Sequence, residues 1–444
     1  MIAASNPNYT RVSSRVGFLG WKRIGWLAVL ALCCASTMCS SKENPCADVQ
    51  NISCDIRDLG CQENTFCLMQ QIRGGHGGES PRVNTITQAE YRQLLVERLV
   101  DPTLKDEHWD RVLAMLGLLD SDISYNEALI EDLVAHVVAF YDPSIQEVFI
   151  VDRGALQEPE KQVATLAHEF VHAAQDDEFG LEEFTQIHGV TIDDYLVVQC
   201  LLEGEAVLYE NLVELGLDGT SPYSVGWQEY YDTWRDIILE ESIKSPFPYV
   251  SLLGSLSYPV GAKKMTSAWL FQGNEGVEQV YNEHPRDMLG WLNPDLASLP
   301  LLDEPIAPEP PAGFEAVFRD ELGATFVFAL LAAQGMELDD ARLASFDWRF
   351  DRMWTFVDFE NDHHAAEWRI SWRNQEAAET FVAMASKLGV AAYVEDSSTP
   401  ESTLHICNDV EILESWVGKQ RIGKFLDYGL TEPTSPVPRP NPFF

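Results

Sequence analysis

Residues 159–177, Pro159-Glu160-Lys161-Gln162-Val163-Ala164-Thr165-Leu166-Ala167-His168-Glu169-Phe170-Val171-His172-Ala173-Ala174-Gln175-Asp176-Asp177, govern how the rest of the chain is read. Val163, Leu166, Ala167, Phe170, Val171 and Ala174 recur at i, i+3, i+4, i+7, i+8 and i+11, the period of an amphipathic helix. Measured from Val163, that stripe centres near ~10°, whereas His168 and His172 fall near ~140° and ~180°. One face is therefore expected to enter the core and the opposite face to line a cleft. Histidines one turn apart project from the same side, about 6 Å from each other, so both rings can reach one cation. Glu169, beside the first of them, can reach a water on that cation. Both histidines and the acid fit the HExxH pattern of metal hydrolases, which chance placement rarely produces. A salt-bridged surface helix is the competing account.

Two histidines do not complete a hydrolytic metal site, which needs a third protein ligand and an open position. A second helix, from about Asp194 to Leu215 with Gly216 as its stop, offers one. It carries Leu202-Glu203-Gly204-Glu205-Ala206, with 30 residues between His172 and Glu203. Glu210, seven residues beyond Glu203, lies only ~20° away on the same face. Two acids on one face of a helix rich in leucine and valine are costly to bury unless paired or metal-bound. Glu203 is the first candidate for the third ligand and Glu205 its rival; a solvated acidic helix is the alternative.

Three strings carry a family resemblance. His168–Asp176 (HEFVHAAQD) resembles the zinc helix of thermolysin-like peptidases. Glu203–Glu210 (EGEAVLYE) resembles the glutamate helix of the zinc aminopeptidases, with Leu202 where those carry asparagine. Ser257–Ala262 (SYPVGA) is similar to their Tyr-x-x-Gly-Ala segment. Both groups are gluzincins, and Phe140–Glu210 as a whole looks like a group of bacterial HExxH proteins of undefined substrate. The resemblance spans residues 80–300, with identity confined to the short strings.

It implies an α+β fold: a mainly helical, zincin-like (thermolysin-like) catalytic domain. It further implies Zn²⁺ held by His168, His172 and Glu203. Glu169 would accept a proton from the attacking water and pass it to the leaving amine, and Tyr258 would answer charge developing on the scissile carbonyl. Asp176 and Glu210 become candidates to orient the ligand histidines, each otherwise a surface acid. Val148–Asp152 becomes the candidate edge strand for an extended peptide or protein substrate. The chain departs from the pattern twice. The gap of 30 residues between His172 and Glu203 exceeds the usual gluzincin spacing, which bears on the path between the two helices. The amine-binding string of the aminopeptidases is absent, so exopeptidase activity is not implied.

Around this centre the chain has 444 residues, 46% hydrophobic and 23% charged, a balance that excludes disorder over most of its length. Its net charge of −40 disfavours nucleic acid and anionic membrane surfaces as partners. Arg11, Arg15, Lys22 and Arg23 precede an apolar run, Ile24–Cys34, too short to span a bilayer. Residues 1–38 are expected to be a signal peptide; removing its four bases takes −40 to −44. Cys39-Ser40-Ser41-Lys42-Glu43 resembles the start of a mature bacterial lipoprotein, although Ser36-Thr37-Met38 matches the usual preceding triplet poorly. The chain is thus expected to be exported, either lipid-anchored in the cell envelope through Cys39 or cleaved and secreted. Cys46, Cys54, Cys61 and Cys67 read as a small two-bridge knot. If Cys39 carries lipid, Cys200 and Cys407 complete an even six for disulfides.

The expected organisation is a Cys-rich stalk and Gly-rich linker (39–80), the catalytic domain (81–300), a helix with a small α+β unit (301–430) and a Pro-rich tail (431–444). Within it, helices are expected at 88–100 behind a Thr87/Glu90 capping box, at 106–118 and at 125–137. A hairpin should follow over 138–152, and a further helix after Gly261. A second hairpin is expected around Glu360–His364, with the adjacent histidines solvated, then a helix at 374–388 and strands at 390–395 and 402–407.

Three functions compete: a zinc endopeptidase-like hydrolase, a zinc hydrolase acting on another substrate, and a non-catalytic envelope lipoprotein that uses a zincin-like domain for binding or scaffolding. The intact Glu169 favours catalysis. Nothing in the sequence speaks to oligomeric state.

Overall fold

A computed structural model describes residues 54–74, 79–99, 107–154, 159–296, 305–388, 391–396 and 399–418. The expected signal peptide, Cys39, Cys46 and the Pro-rich tail lie outside the described residues.

The first half runs α1 (Leu59–Arg73), β1 (Arg82–Thr87), α2 (Gln88–Leu99), α3 (Glu107–Met115), α4 (Tyr125–His136), β2 (Ala139–Asp142), β3 (Glu147–Asp152), α5 (Pro159–Phe179), α6 (Leu181–His188) and α7 (Ile192–Leu217). Then come α8 (Trp227–Lys244), α9 (Pro248–Ser255), α10 (Ser257–Gln272), α11 (Asn274–Asn282) and α12 (Met288–Leu292). The last part holds β4 (Glu315–Asp320), α13 (Gly323–Ala333), α14 (Leu338–Ser345), β5 (Trp348–Asp358), β6 (His363–Trp372), α15 (Gln375–Ala385), β7 (Ala391–Asp396), β8 (Thr399–Cys407) and α16 (Val410–Val417). The fold is α+β, and no helix among the described residues is long and apolar enough to cross a membrane.

Local chemistry sets the helix starts. Thr87 and Glu90 form the expected reciprocal box, Thr87 N donating to Glu90 Oε2 at 2.8 Å and Glu90 N to Thr87 Oγ1 at 3.2 Å. Ser124 with Glu127 and Thr191 with Asp194 do the same for α4 and α7. α7 runs through Gly216 rather than stopping there.

The hairpin β2–β3 forms, and β1 joins it in parallel, giving the order β1-β3-β2. Val148–Asp152 is therefore central and cannot be the edge strand; β2 holds the edge next to α5. The second sheet is antiparallel, ordered β4-β5-β6-β8-β7. His364, expected in solvent, is buried at the start of β6 with its ring 5.2 Å from that of His108.

The predicted stripe of α5 is buried in the main core, where Phe66 of α1 meets Phe170 edge-on at 5.4 Å. The expected stalk thus contributes a packed helix, stapled at its start by a Cys54–Cys61 disulfide; Cys67 is also disulfide-bonded. Cys200 and Cys407 are free thiols, so neither belongs to the expected disulfide set. Cys200 instead fills core space on α7 against Met288. The core continues past residue 300 through Tyr249, Phe326, Trp368 and Phe381, each ring 4.8–5.5 Å from the next. The C-terminal unit shares this core with the helices that carry the site.

Candidate metal centre

α5 and α7 pack along their lengths, and their facing sides bring His168 and His172 against Glu203 and Glu210. Donor atoms of His168, His172 and Glu203 converge. His172 Nε2 lies 3.1 Å from His168 Nε2, and Glu203 Oε2 lies 3.2 Å from the first ring and 3.4 Å from the second. Tetrahedral coordination at ~2.0–2.1 Å from an ion requires donors ~3.3 Å apart, so the three atoms are spaced to hold a metal ion. Two imidazoles and a carboxylate are also the right donor types for zinc. The histidine face is not an open cleft wall: α7 and α10 cover it, leaving the His168, His172 and Glu203 side chains only 9%, 13% and 14% exposed.

Each ring is held from behind. A carboxylate can only accept, so His168 Nδ1–H donates to Glu210 Oε2 at 3.0 Å, which makes Nε2 the nitrogen that could serve an ion. Glu203 and Glu210, two turns apart on one face, thus meet the two nitrogens of the same ring. His172 Nδ1 meets Gln175 Oε1 at 2.9 Å. Asp176, a candidate for such a role, does not serve it. Its carboxylate takes the Tyr141 hydroxyl at 2.9 Å and the Leu181 backbone N–H at 2.8 Å, which fixes the start of α6 to α5.

Glu205, the rival ligand, lies 200° around α7 from Glu203 at ~100° per residue. It points away from the histidines and accepts from Arg73 Nε at 2.9 Å. Gln175, Arg73 and Tyr281 were missed in the sequence. Gln175 sits at i+3 from His172, the one signal that could have found it; the other two reach the site from distant elements.

Tyr258 opens α10 with its ring parallel to that of His168 at 6.1 Å, and its phenol is buried beside the Glu203 and Glu169 carboxylates. Two glycines make that approach feasible. A Cβ on Gly204 would stand 2.5 Å from the Gly261 carbonyl carbon, and one on Gly261 would stand 2.1 Å from Cys200 O. The backbones of α7 and α10 therefore touch where Glu203-Gly204 crosses Tyr258-Pro259-Val260-Gly261.

Glu169 is buried beside the donors without being one of them. Burial raises its pKa, and the neighbouring histidines only partly oppose this. Burial would lower the pKa of both histidines, but hydrogen bonds and charge from Glu203, and from Glu210 at His168, outweigh it and raise them. Burial likewise disfavours the Glu203 carboxylate, yet the two imidazoles hold its pKa low. A divalent ion entering there would compete with protons for these donors.

In comparisons with known proteins, no family model, no curated protein and no solved structure matched the chain.

Proposed function

We propose that the chain is a zinc-dependent hydrolase of gluzincin type, with a zincin-like helical body, that cleaves peptide bonds. The observation that carries this reading is the 3.1–3.4 Å spacing of the His168, His172 and Glu203 donors, with Glu169 beside them. Those three residues would hold the ion. Bound there, zinc would supply Lewis acidity toward the attacking water and the scissile carbonyl.

The rest falls to the chain's own groups. Glu169 takes the proton of the attacking water and returns it to the leaving amine; its raised pKa suits a group that must both accept and donate. Glu210 and Gln175 keep the two rings in the tautomers that offer Nε2. Tyr258, buried beside Glu203, donates to the carbonyl oxygen as negative charge develops there. An extended substrate pairs with the outer edge of β2. Val151 N donates to Val138 O, so by antiparallel alternation the N–H and C=O groups of Ala139 and Tyr141 point to that edge. The Cys54–Cys61 disulfide supports the exported setting, where the chain is secreted or anchored through Cys39.

The test is metal analysis joined to a casein or peptide-library assay with and without chelator. The expected result is about one zinc per chain and chelator-sensitive cleavage. Glu169→Gln should keep the zinc and lose at least ~10²-fold in kcat. Zinc with no cleavage of any peptide would overturn the peptidase reading in favour of a zinc hydrolase of another substrate or the binding or scaffolding role. No zinc at all would end the zinc-hydrolase reading.

A further inference from the structure

Resting on the metal-site reading, we infer that Gln175 is the positioning residue that sets the tautomer of His172, and that Arg73, Glu205 and Tyr281 fix Gln175 in turn. This ties the cystine-stapled helix α1 to the metal site.

The argument is one of donors and acceptors. The buried Gln175 amide has two distinguishable ends. One end lies 3.0 Å from Leu202 O, 2.9 Å from Glu205 Oε2 and 3.2 Å from the Tyr281 hydroxyl. A backbone carbonyl and a carboxylate can only accept, so this end must be the NH₂ group. The other end is then the oxygen, and it faces His172 Nδ1 at 2.9 Å. An oxygen there requires Nδ1 to carry the proton, which makes Nε2 the nitrogen that can offer a lone pair to an ion among His168 and Glu203. A flipped amide would offer a donor to His172, favour the other tautomer, and remove the ligand atom.

What prevents the flip is the setting of Glu205. Its carboxylate is almost fully buried and accepts from three donors: Arg73 Nε at 2.9 Å, Tyr281 Oη–H at 2.6 Å and Gln175 Nε2 at 2.9 Å. Arg73 is itself mostly buried and also holds Glu178 at 2.7 Å. It sits at the last turn of α1, 132 residues from Glu205 in sequence. One of the donors that hold the Glu205 carboxylate therefore comes from α1, and none of Arg73, Glu205 or Tyr281 is among the converging donors.

The test measures zinc affinity by chelator competition, and the visible absorption of the cobalt-substituted protein, in the full chain and two variants. Gln175→Met fills the space without an acceptor. Glu205→Gln keeps the shape but forces a donor against either Arg73 or Gln175. Each should bind zinc 10- to 100-fold more weakly than the parent chain, with a changed cobalt spectrum and the metal-free melting temperature largely kept in Glu205→Gln. Parent-like affinity and spectrum in both variants would overturn the inference. If Gln175→Met does not fold, Glu205→Gln decides alone. Failure of the parent chain to bind zinc would instead strike the metal-site reading itself.

Discussion

Tyr258 separates binding from catalysis at the level of a single residue. Burial, followed by the charges of Glu203 and Glu169, raises its pKa well above the usual phenol value, so it remains a donor throughout neutral pH. Tyr258→Phe should leave zinc content unchanged and lower kcat by about 10²- to 10³-fold, the usual cost of one oxyanion donor. Steady-state kinetics beside metal analysis checks this; unchanged kcat would remove Tyr258 from the reaction. His168, Glu169 and His172 were legible in the sequence because helical spacing on α5 places them together, whereas Glu203 was legible only as the first of two candidates on α7. Gln175 and Glu205 were hidden for the opposite reason. Glu205 looked like a ligand because it neighbours Glu203, but its place on the far side of α7 and its pairing with Arg73 of α1 turn it away. Asp176 misled in the same manner: it shares the face of His172, but Tyr141 and the start of α6 claim its carboxylate.

The crossing of α7 and α10 is where elements rather than residues decide the outcome. Gly204 and Gly261 let the backbones meet, and that contact sets the distance from Tyr258 to Glu203. Gly261→Ala must push the helices apart, because its Cβ would lie 2.1 Å from Cys200 O. The expected cost is about 1–3 kcal/mol of stability, seen as a lowered Tm, together with a loss of kcat that exceeds any loss of zinc. An unchanged Tm would show that the crossing is looser than the backbone contact requires. Periodicity revealed α5, α7 and the two hairpins because each forms from contiguous residues. It did not reveal β1, whose partner β3 begins 65 residues later and runs parallel to it. Nor could it place α1 in the core, since four cysteines in a short segment suggest a loop-rich knot. The packing of Phe66 against Phe170 overrides that expectation.

Across the whole molecule, the net charge of −40 hides the fact that several acids are inside. Asp193, Asp320 and Asp351 are buried where α7 begins against β4, α13 and β5. Asp320 Oδ1 accepts from Ile192 N at 2.9 Å and from Glu321 N at 2.7 Å, so the C-terminal unit holds the first turn of the helix that carries Glu203 and Glu210. Nothing local in the sequence distinguishes these acids from the many at the surface. Burial pushes the Asp320 pKa up to about 7, and burial together with Asp351 pushes Glu321 up to about 8. Acids raised in this way bind protons more tightly in the folded chain than in the unfolded one. Their stabilisation is complete below the unfolded value of ~4 and is lost as pH rises through 7 and 8. For Asp320 the loss by pH 8 is on the order of 4 kcal/mol. At the acid end Asp142 behaves oppositely. Burial opposes its charge, but Arg98 and Ser144 hold its pKa low, so its contribution disappears as pH falls through that lowered value. Melting temperature should therefore peak on the mildly acidic side and decline toward pH 8. General repulsion among surface acids would give a similar slope, so the discriminating measurement is the difference between the parent chain and Asp320→Asn. The amide still accepts from both backbone donors but has no proton to lose, and that variant should decline less between pH 5 and 8. Parallel pH profiles for the two chains would show that Asp320 does not titrate in this range.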